Sequence, residues 1–102
     1  MHNLLENNRK SIRELCKQLK VQRLYAFGSI VSGDFNDKSD VDFLLSFDSK
    51  ISIKEYTDNY FSLHYKLQEI FNRKIDLVTE RTLSNPYFIK SIEKSKQLIY
   101  EA

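Results

Sequence analysis

Between Ala26 and Leu45 the chain reads AFGSIVSGDFNDKSDVDFLL, and no other segment constrains its fold as tightly. One apolar run ends in Gly28-Ser29. Ten residues later, Asp40-Val41-Asp42 opens a second apolar run. Residues i and i+2 of a strand project to the same face, about 7 Å apart. Two carboxylates placed that way repel each other and lose hydration unless a cation sits between them. A Gly-Ser turn at a strand end offers backbone N–H groups and a hydroxyl to phosphate oxygens. Together the two halves describe a site for a divalent metal and a nucleoside triphosphate.

The surrounding pattern supplies the scaffold. Leu4, Leu5, Ile12, Leu15 and Leu19 recur at helical spacing and predict an amphipathic helix over Leu4–Leu19. Leu24–Phe27 reads as a short strand covered on both faces, closed by Gly28, with a helical turn starting at Ser29. Gly33 and Asn36-Asp37 mark turns in the polar stretch that follows. Val41–Phe47 alternates: Val41, Phe43, Leu45 and Phe47 share one face, Asp42 and Leu44 the other. Ser52-Ile53-Lys54-Glu55 is a capping box, with Ile51 and Tyr56 as its hydrophobic staple. Ile53, Tyr56, Tyr60, Leu63, Leu67 and Ile70 then carry a helix to about Phe71, where Asn72-Arg73 breaks it. Ile75, Leu77 and Thr79 alternate with Asp76 and Val78 as a third strand. Asn85 caps a last helix with Pro86 at its first position and Phe88, Ile89, Ile92 and Ile99 as its buried stripe. The order α-β-(α)-β-α-β-α predicts an α/β sandwich with a small sheet.

Bulk properties narrow the function. With 102 residues and 41% hydrophobic content, one domain over 1–102 with a modest core is expected, leaving no room for a second domain to hold an acceptor. Sixteen basic against fourteen acidic residues give a net charge of +2, so no direct nucleic-acid binding is expected. One cysteine and two histidines exclude a disulfide framework and a zinc constellation. No apolar run approaches the ~20 residues that span a bilayer, and the N-terminus lacks a signal-peptide core. A soluble, cytoplasmic protein with no membrane association is the expectation.

Asp76 is the third informative carboxylate. It lies between Ile75 and Leu77, whose side chains point into the core, and it shares a face with Asp40 and Asp42 if the two strands are neighbours. Three oxygen ligands of this hardness suit Mg²⁺ or Mn²⁺. Two such ions, roughly 3.5–4 Å apart, stabilise the entering and leaving oxygens of an in-line displacement at phosphorus. Asp40 and Asp42 are expected to bridge both ions; Asp76 is an additional ligand and a base for the acceptor hydroxyl.

The remaining candidates read as structural. His64 sits beside Leu63 on a helix as a half-buried or surface histidine, and Cys16 packs beside Leu15. Lys90, Lys94 and Ser95-Lys96 form the solvated face of the last helix. Six tyrosines and seven phenylalanines exceed what so small a core needs. Some of Tyr25, Tyr56, Tyr60, Phe61, Tyr65 and Tyr87 are therefore candidates to face a partner subunit, a homodimer included, with a tight aromatic core as the alternative.

Gly28-Ser29, the ten-residue spacer, Ser39-Asp40-Val41-Asp42 and the later Asp76 resemble the signature of the polymerase-β-like nucleotidyltransferase superfamily. The short chain is similar to its minimal nucleotidyltransferase (MNT) branch, and the resemblance spans nearly the whole sequence. It implies that superfamily's fold, a small mixed sheet flanked by helices. It implies ATP as substrate, two Mg²⁺ ions on Asp40, Asp42 and Asp76, and a nucleotide held by Gly28, Ser29, Gly33 and Lys38. Minimal members are commonly encoded beside HEPN-domain proteins, and several are antitoxins that transfer AMP to a tyrosine of a HEPN ribonuclease. One position departs from the pattern: Ser32 stands before Gly33 where many relatives carry arginine. Only arginine offers a charged bidentate fork to phosphate, so Lys38 is left as a replacement point charge.

The leading expectation is a Mg²⁺-dependent enzyme moving AMP from ATP onto a protein hydroxyl, a HEPN-toxin tyrosine. A catalytically weak binding module that neutralises a HEPN partner by covering it is the second. AMP transfer to a small molecule such as an aminoglycoside ranks below both, because relatives of that kind need a further domain.

Overall fold

The computed structural model of the chain describes residues 2–102. Helix α1 covers Asn3–Gln18, and His2 caps it, its Nδ1 accepting from the Leu4 N–H at 3.0 Å. Strand β1 covers Val21–Phe27, and the single turn α2 covers Ser29–Ser32. Strand β2 is Val41–Phe47, helix α3 Ile53–Phe71 and strand β3 Ile75–Thr79. A 3₁₀ turn over Glu80–Thr82 leads to helix α4, Pro86–Ser95, and strand β4, Gln97–Glu101. The strands form one mixed sheet in the order β3-β2-β1-β4, with β2 and β3 parallel and the other pairs antiparallel.

Two apolar layers hold the sheet. On one face, Leu24, Val41, Phe43, Leu45, Ile75 and Leu77 pack against Leu5, Ile12 and Leu15 of α1 and Leu63, Leu67 and Phe71 of α3. On the other, Phe27 and Leu44 meet Ile92 of α4, a smaller cluster that leaves part of this face open. The alternation in β2 thus separates Val41, Phe43 and Leu45 from Leu44, as the period of two requires. This is the small mixed sheet flanked by helices that the family resemblance implies, with a fourth strand, β4, beyond the three read from the residue pattern.

Three expectations are corrected. The last helix stops at Ser95, and Ile99 is buried through β4 rather than through a helical stripe. Of the remaining stripe only Ile92 is buried, and Phe88 stays 39% exposed. Strand β1 begins at Val21, three residues before Leu24, because Val21 and Arg23 pair with Phe47 and Ser46 of β2, with Gln22 at an irregularity between them. Ile53, placed on the buried face of α3, is 85% exposed. It occupies the first helical position after the Ser52 cap.

The free edge of β3 is closed by side chains. Tyr60 donates its hydroxyl to the Leu77 carbonyl at 2.7 Å, and His64 Nε2 lies 2.9 Å from the Ile75 carbonyl. Thr82 donates to the Thr79 carbonyl at 3.0 Å. A carbonyl only accepts, so Nε2 carries the proton in the His64 contact. His64 is half-buried, as expected, and stacks against Tyr60. Of the surplus aromatics, Phe61, Tyr65 and Tyr87 are exposed, whereas Tyr25, Tyr56 and Tyr60 are half-buried.

Candidate active site

The chain leaves β1 through Gly28, at φ +77° and ψ −148°, a region that L residues rarely enter. The Gly28 carbonyl accepts from the N–H groups of Val31 and Ser32, both at 3.0 Å. In such a turn the N–H groups of Ser29 and Ile30 precede the first intrahelical bond and stay available to a ligand. Gly33 ends the turn at φ +95° in the left-handed region, with open space where a side chain would stand. Ser32 turns its hydroxyl to Asp34 Oδ2 at 3.2 Å.

The acids arrive from the neighbouring strands. Asp42 pairs in register with Phe27 of β1 on one side and with Asp76 of β3 on the other. The parallel ladder therefore sets Asp42 and Asp76 side by side on the open face of the sheet. Asp40 precedes β2 by one residue, half-buried, with its carboxylate 3.7 Å from Lys74 Nζ. Burial pushes the Asp42 carboxyl up to about 6, and the charges of Asp76 and Asp40 push in the same direction. A β-carbon on Gly28 would overlap Oδ2 of Asp42, so the turn and the acid row touch.

The structure thus brings Gly28, Ser29, Asp40, Asp42 and Asp76 together at one end of the sheet. Lys38 is exposed in the loop before β2, with its backbone N–H bonded to Asn36 Oδ1 at 2.8 Å. Among the described residues its side chain pairs with no carboxylate. The cations that do reach this end are Arg73 and Lys74, at the corner between α3 and β3. In the sequence Asn72-Arg73 marks only the end of a helix, and Lys74 carries no signal of its own. Phe88, at the start of α4, meets the ring of Phe27 edge-on at 6.1 Å and brings an aromatic edge to the same face. A cleft of about 530 Å³ lined by Ser46, Asp48, Thr79 and Arg81 lies at the opposite end of β2 and β3, away from the acids.

Among the described residues no three His, Cys, Asp or Glu side chains close into a metal cage. Mg²⁺ rarely uses such cages; it binds through one or two carboxylates, substrate phosphates and water. An all-oxygen donor set whose central carboxyl is raised by burial and by like charge fits a hard cation that enters with a phosphate ligand.

The model of the family described as "Nucleotidyltransferase domain" matches residues 9–99. A Methanocaldococcus jannaschii protein named "Putative protein adenylyltransferase" is 35% identical over 92 residues, 90% of this chain and 88% of that protein. The fold is shared with a crystal structure of a toxin-antitoxin with AMP-PNP (TM-score 0.72, 22% identity, 93% of this chain and 74% of that one). It is also shared with a structure of a tri-AMPylated Shewanella oneidensis HEPN toxin in complex with MNT antitoxin (TM-score 0.65, 19% identity, 96% and 73%). With a match that covers β1, β2 and β3 and reaches into β4, this chain belongs to the nucleotidyltransferase domain family.

Proposed function

We propose that this chain is a Mg²⁺-dependent adenylyltransferase that moves AMP from ATP onto a tyrosine hydroxyl of a HEPN ribonuclease toxin, and so acts as its antitoxin. The observation that carries this reading is the placement of Asp42, in register with Asp76 and seated against Gly28, where burial and then the charges of Asp76 and Asp40 push its carboxyl up to about 6. Support for the acceptor comes from relatives: a similar protein bears the name of a protein adenylyltransferase, and an MNT antitoxin of the same fold is found with a tri-AMPylated HEPN toxin.

In this reading the N–H groups and hydroxyl of the Gly28-Ser29 turn hold the triphosphate, with Gly33 and Lys38 at its outer rim. Asp40 and Asp42 would hold two magnesium ions, with Asp76 as a further ligand. When bound there, such ions would supply charge neutralisation at phosphorus. The acceptor oxygen bonds to the α-phosphorus as the bond to pyrophosphate breaks. Asp76, the most exposed of the three acids, takes the proton released by the hydroxyl. The partner supplies the surface that presents that hydroxyl.

A second reading follows from α2, which offers Ser32, turned to Asp34, where an arginine fork would meet phosphate. In it, the chain neutralises its partner by binding alone. Incubation with labelled ATP, Mg²⁺ and the co-purified HEPN partner separates the two. Label on a partner tyrosine that disappears with Asp42→Ala supports transfer. An unlabelled partner, neutralised equally well by Asp40→Ala and Asp42→Ala variants, supports binding alone.

A further inference from the structure

The segment between α2 and β2 joins the phosphate turn to the acid strand, so its conformation decides whether the two halves of the site face each other. Its own bonds make only a local turn: Ser39 N–H to the Asn36 carbonyl at 3.0 Å, and Asn36 N–H to Ser39 Oγ at 3.0 Å. What ties that turn to the body of the protein comes from far along the chain. Arg73 Nη1 donates to the carbonyls of Asn36 at 3.1 Å and Ser39 at 3.0 Å, 37 and 34 residues away. Its guanidinium lies 4.5 Å above the Phe35 ring, and Phe35 in turn packs edge-on against His2, the cap of α1.

The next residue completes the grip. The Lys74 carbonyl accepts the Val41 N–H at 3.2 Å, and Lys74 Nζ reaches Asp40 Oδ2 at 3.7 Å. Two consecutive residues therefore hold the peptide before Asp40, the Asp40 carboxylate itself and the peptide after it. One nitrogen, Nη1, bridges both carbonyls while the flat guanidinium stacks on the Phe35 ring, a combination that the compact ammonium of lysine does not reproduce. The arrangement is kept although Arg73 Nε is buried without a partner, a cost that a loosely held surface arginine would escape by turning to water.

We infer that Arg73 is a positioning residue of the adenylyltransferase site: by clamping the Asn36–Ser39 turn it sets Asp40 beside Asp42 and so fixes metal–nucleotide affinity. The inference rests on the function proposed above, and two readouts on the full chain keep the two apart. The first is calorimetric binding of AMP-PNP with Mg²⁺ to the wild type, Arg73→Ala and Arg73→Lys. The second is amide hydrogen exchange over residues 34–41, which needs no nucleotide. Both variants are expected to bind about tenfold more weakly and to exchange these amides at least tenfold faster, with cooperative melting retained. Should Arg73→Ala fold poorly, Phe35→Leu, which removes the ring that stacks on Arg73 and meets His2 but leaves the two carbonyl bonds, is expected to move both readouts in the same direction by a smaller factor. Wild-type affinity in Arg73→Lys would mean that charge alone matters and would overturn the clamp. Unchanged loop exchange in Arg73→Ala would overturn it as well. A wild type that takes up no nucleotide would defeat the adenylyltransferase reading, and the exchange data would still decide whether Arg73 fixes the loop.

Discussion

Oδ2 of Asp42 occupies the space that a β-carbon on Gly28 would need, and Gly28 itself holds φ +77°. The turn and the acid strand are therefore coupled through one glycine, which has two separate reasons to be glycine. Gly28→Ala is expected to destabilise the protein by about 1–3 kcal/mol, from backbone strain and overlap together. It is also expected to displace Asp42 and abolish nucleotide binding. Urea denaturation and calorimetry on the same preparation check both. A Gly28→Ala variant that binds nucleotide like wild type would break the coupling.

Asp42 also sets a pH dependence. Its carboxyl lies at about 6 in the fold against an ordinary 3.8, so the fold favours its neutral form. The resulting penalty is absent below about pH 4, grows as pH rises through 6, and is complete above it. The difference between 3.8 and about 6 corresponds to about 3 kcal/mol, but Asp42 is only half-buried, and solvent screening reduces this to about 1 kcal/mol. Asp42→Asn should therefore raise metal-free stability by about 1 kcal/mol at pH 8 and leave it unchanged at pH 4. Denaturation midpoints at the two pH values test the sign.

The capped β3 edge predicts a different kind of loss. Tyr60→Phe removes the donor to the Leu77 carbonyl while keeping the ring. A cost of about 1 kcal/mol is expected, since that carbonyl keeps only whatever water reaches it. An uncapped edge is also a pairing template, so faster aggregation on warming should accompany the loss. Equal stability of Tyr60→Phe and wild type would show that the cap contributes nothing.

Ser32 allows a gain-of-function test. It sits exposed on α2, one residue before Gly33. Ser32→Arg places a charged fork beside the turn, and several-fold tighter binding of AMP-PNP with Mg²⁺ is expected. Unchanged or weaker binding would mean that the triphosphate does not run along α2.

Much of this architecture was legible in the sequence because its signals are local. The Ser52 capping box needs four residues, and Ser52 does accept from the Glu55 N–H. The alternation of Val41–Phe47 needs only the period of a strand. Strand β4 was not legible: Gln97–Glu101 places Ile99 seven residues after Ile92, a spacing that a continuing helix would also satisfy. Only the pairing of Gln97 with Ala26 and of Tyr100 with Leu24 decides for a strand, and that is tertiary information. The acids and the Gly-Ser turn could be named from their spacing, but the Asp42–Asp76 register depends on which strands are neighbours. Arg73 could not be found at all, because its partners are backbone carbonyls 34 and 37 residues away, to which residue type gives no clue.

The central claim is that Asp40, Asp42 and Asp76 form a cation site completed by the nucleotide. Titration of the protein with Mn²⁺, followed by electron paramagnetic resonance with and without AMP-PNP, tests it most directly. Uptake of two Mn²⁺ per chain that requires the nucleotide, and that falls sharply in Asp42→Asn, is the predicted result. No uptake in the presence of AMP-PNP, or equal uptake by Asp42→Asn, would contradict it.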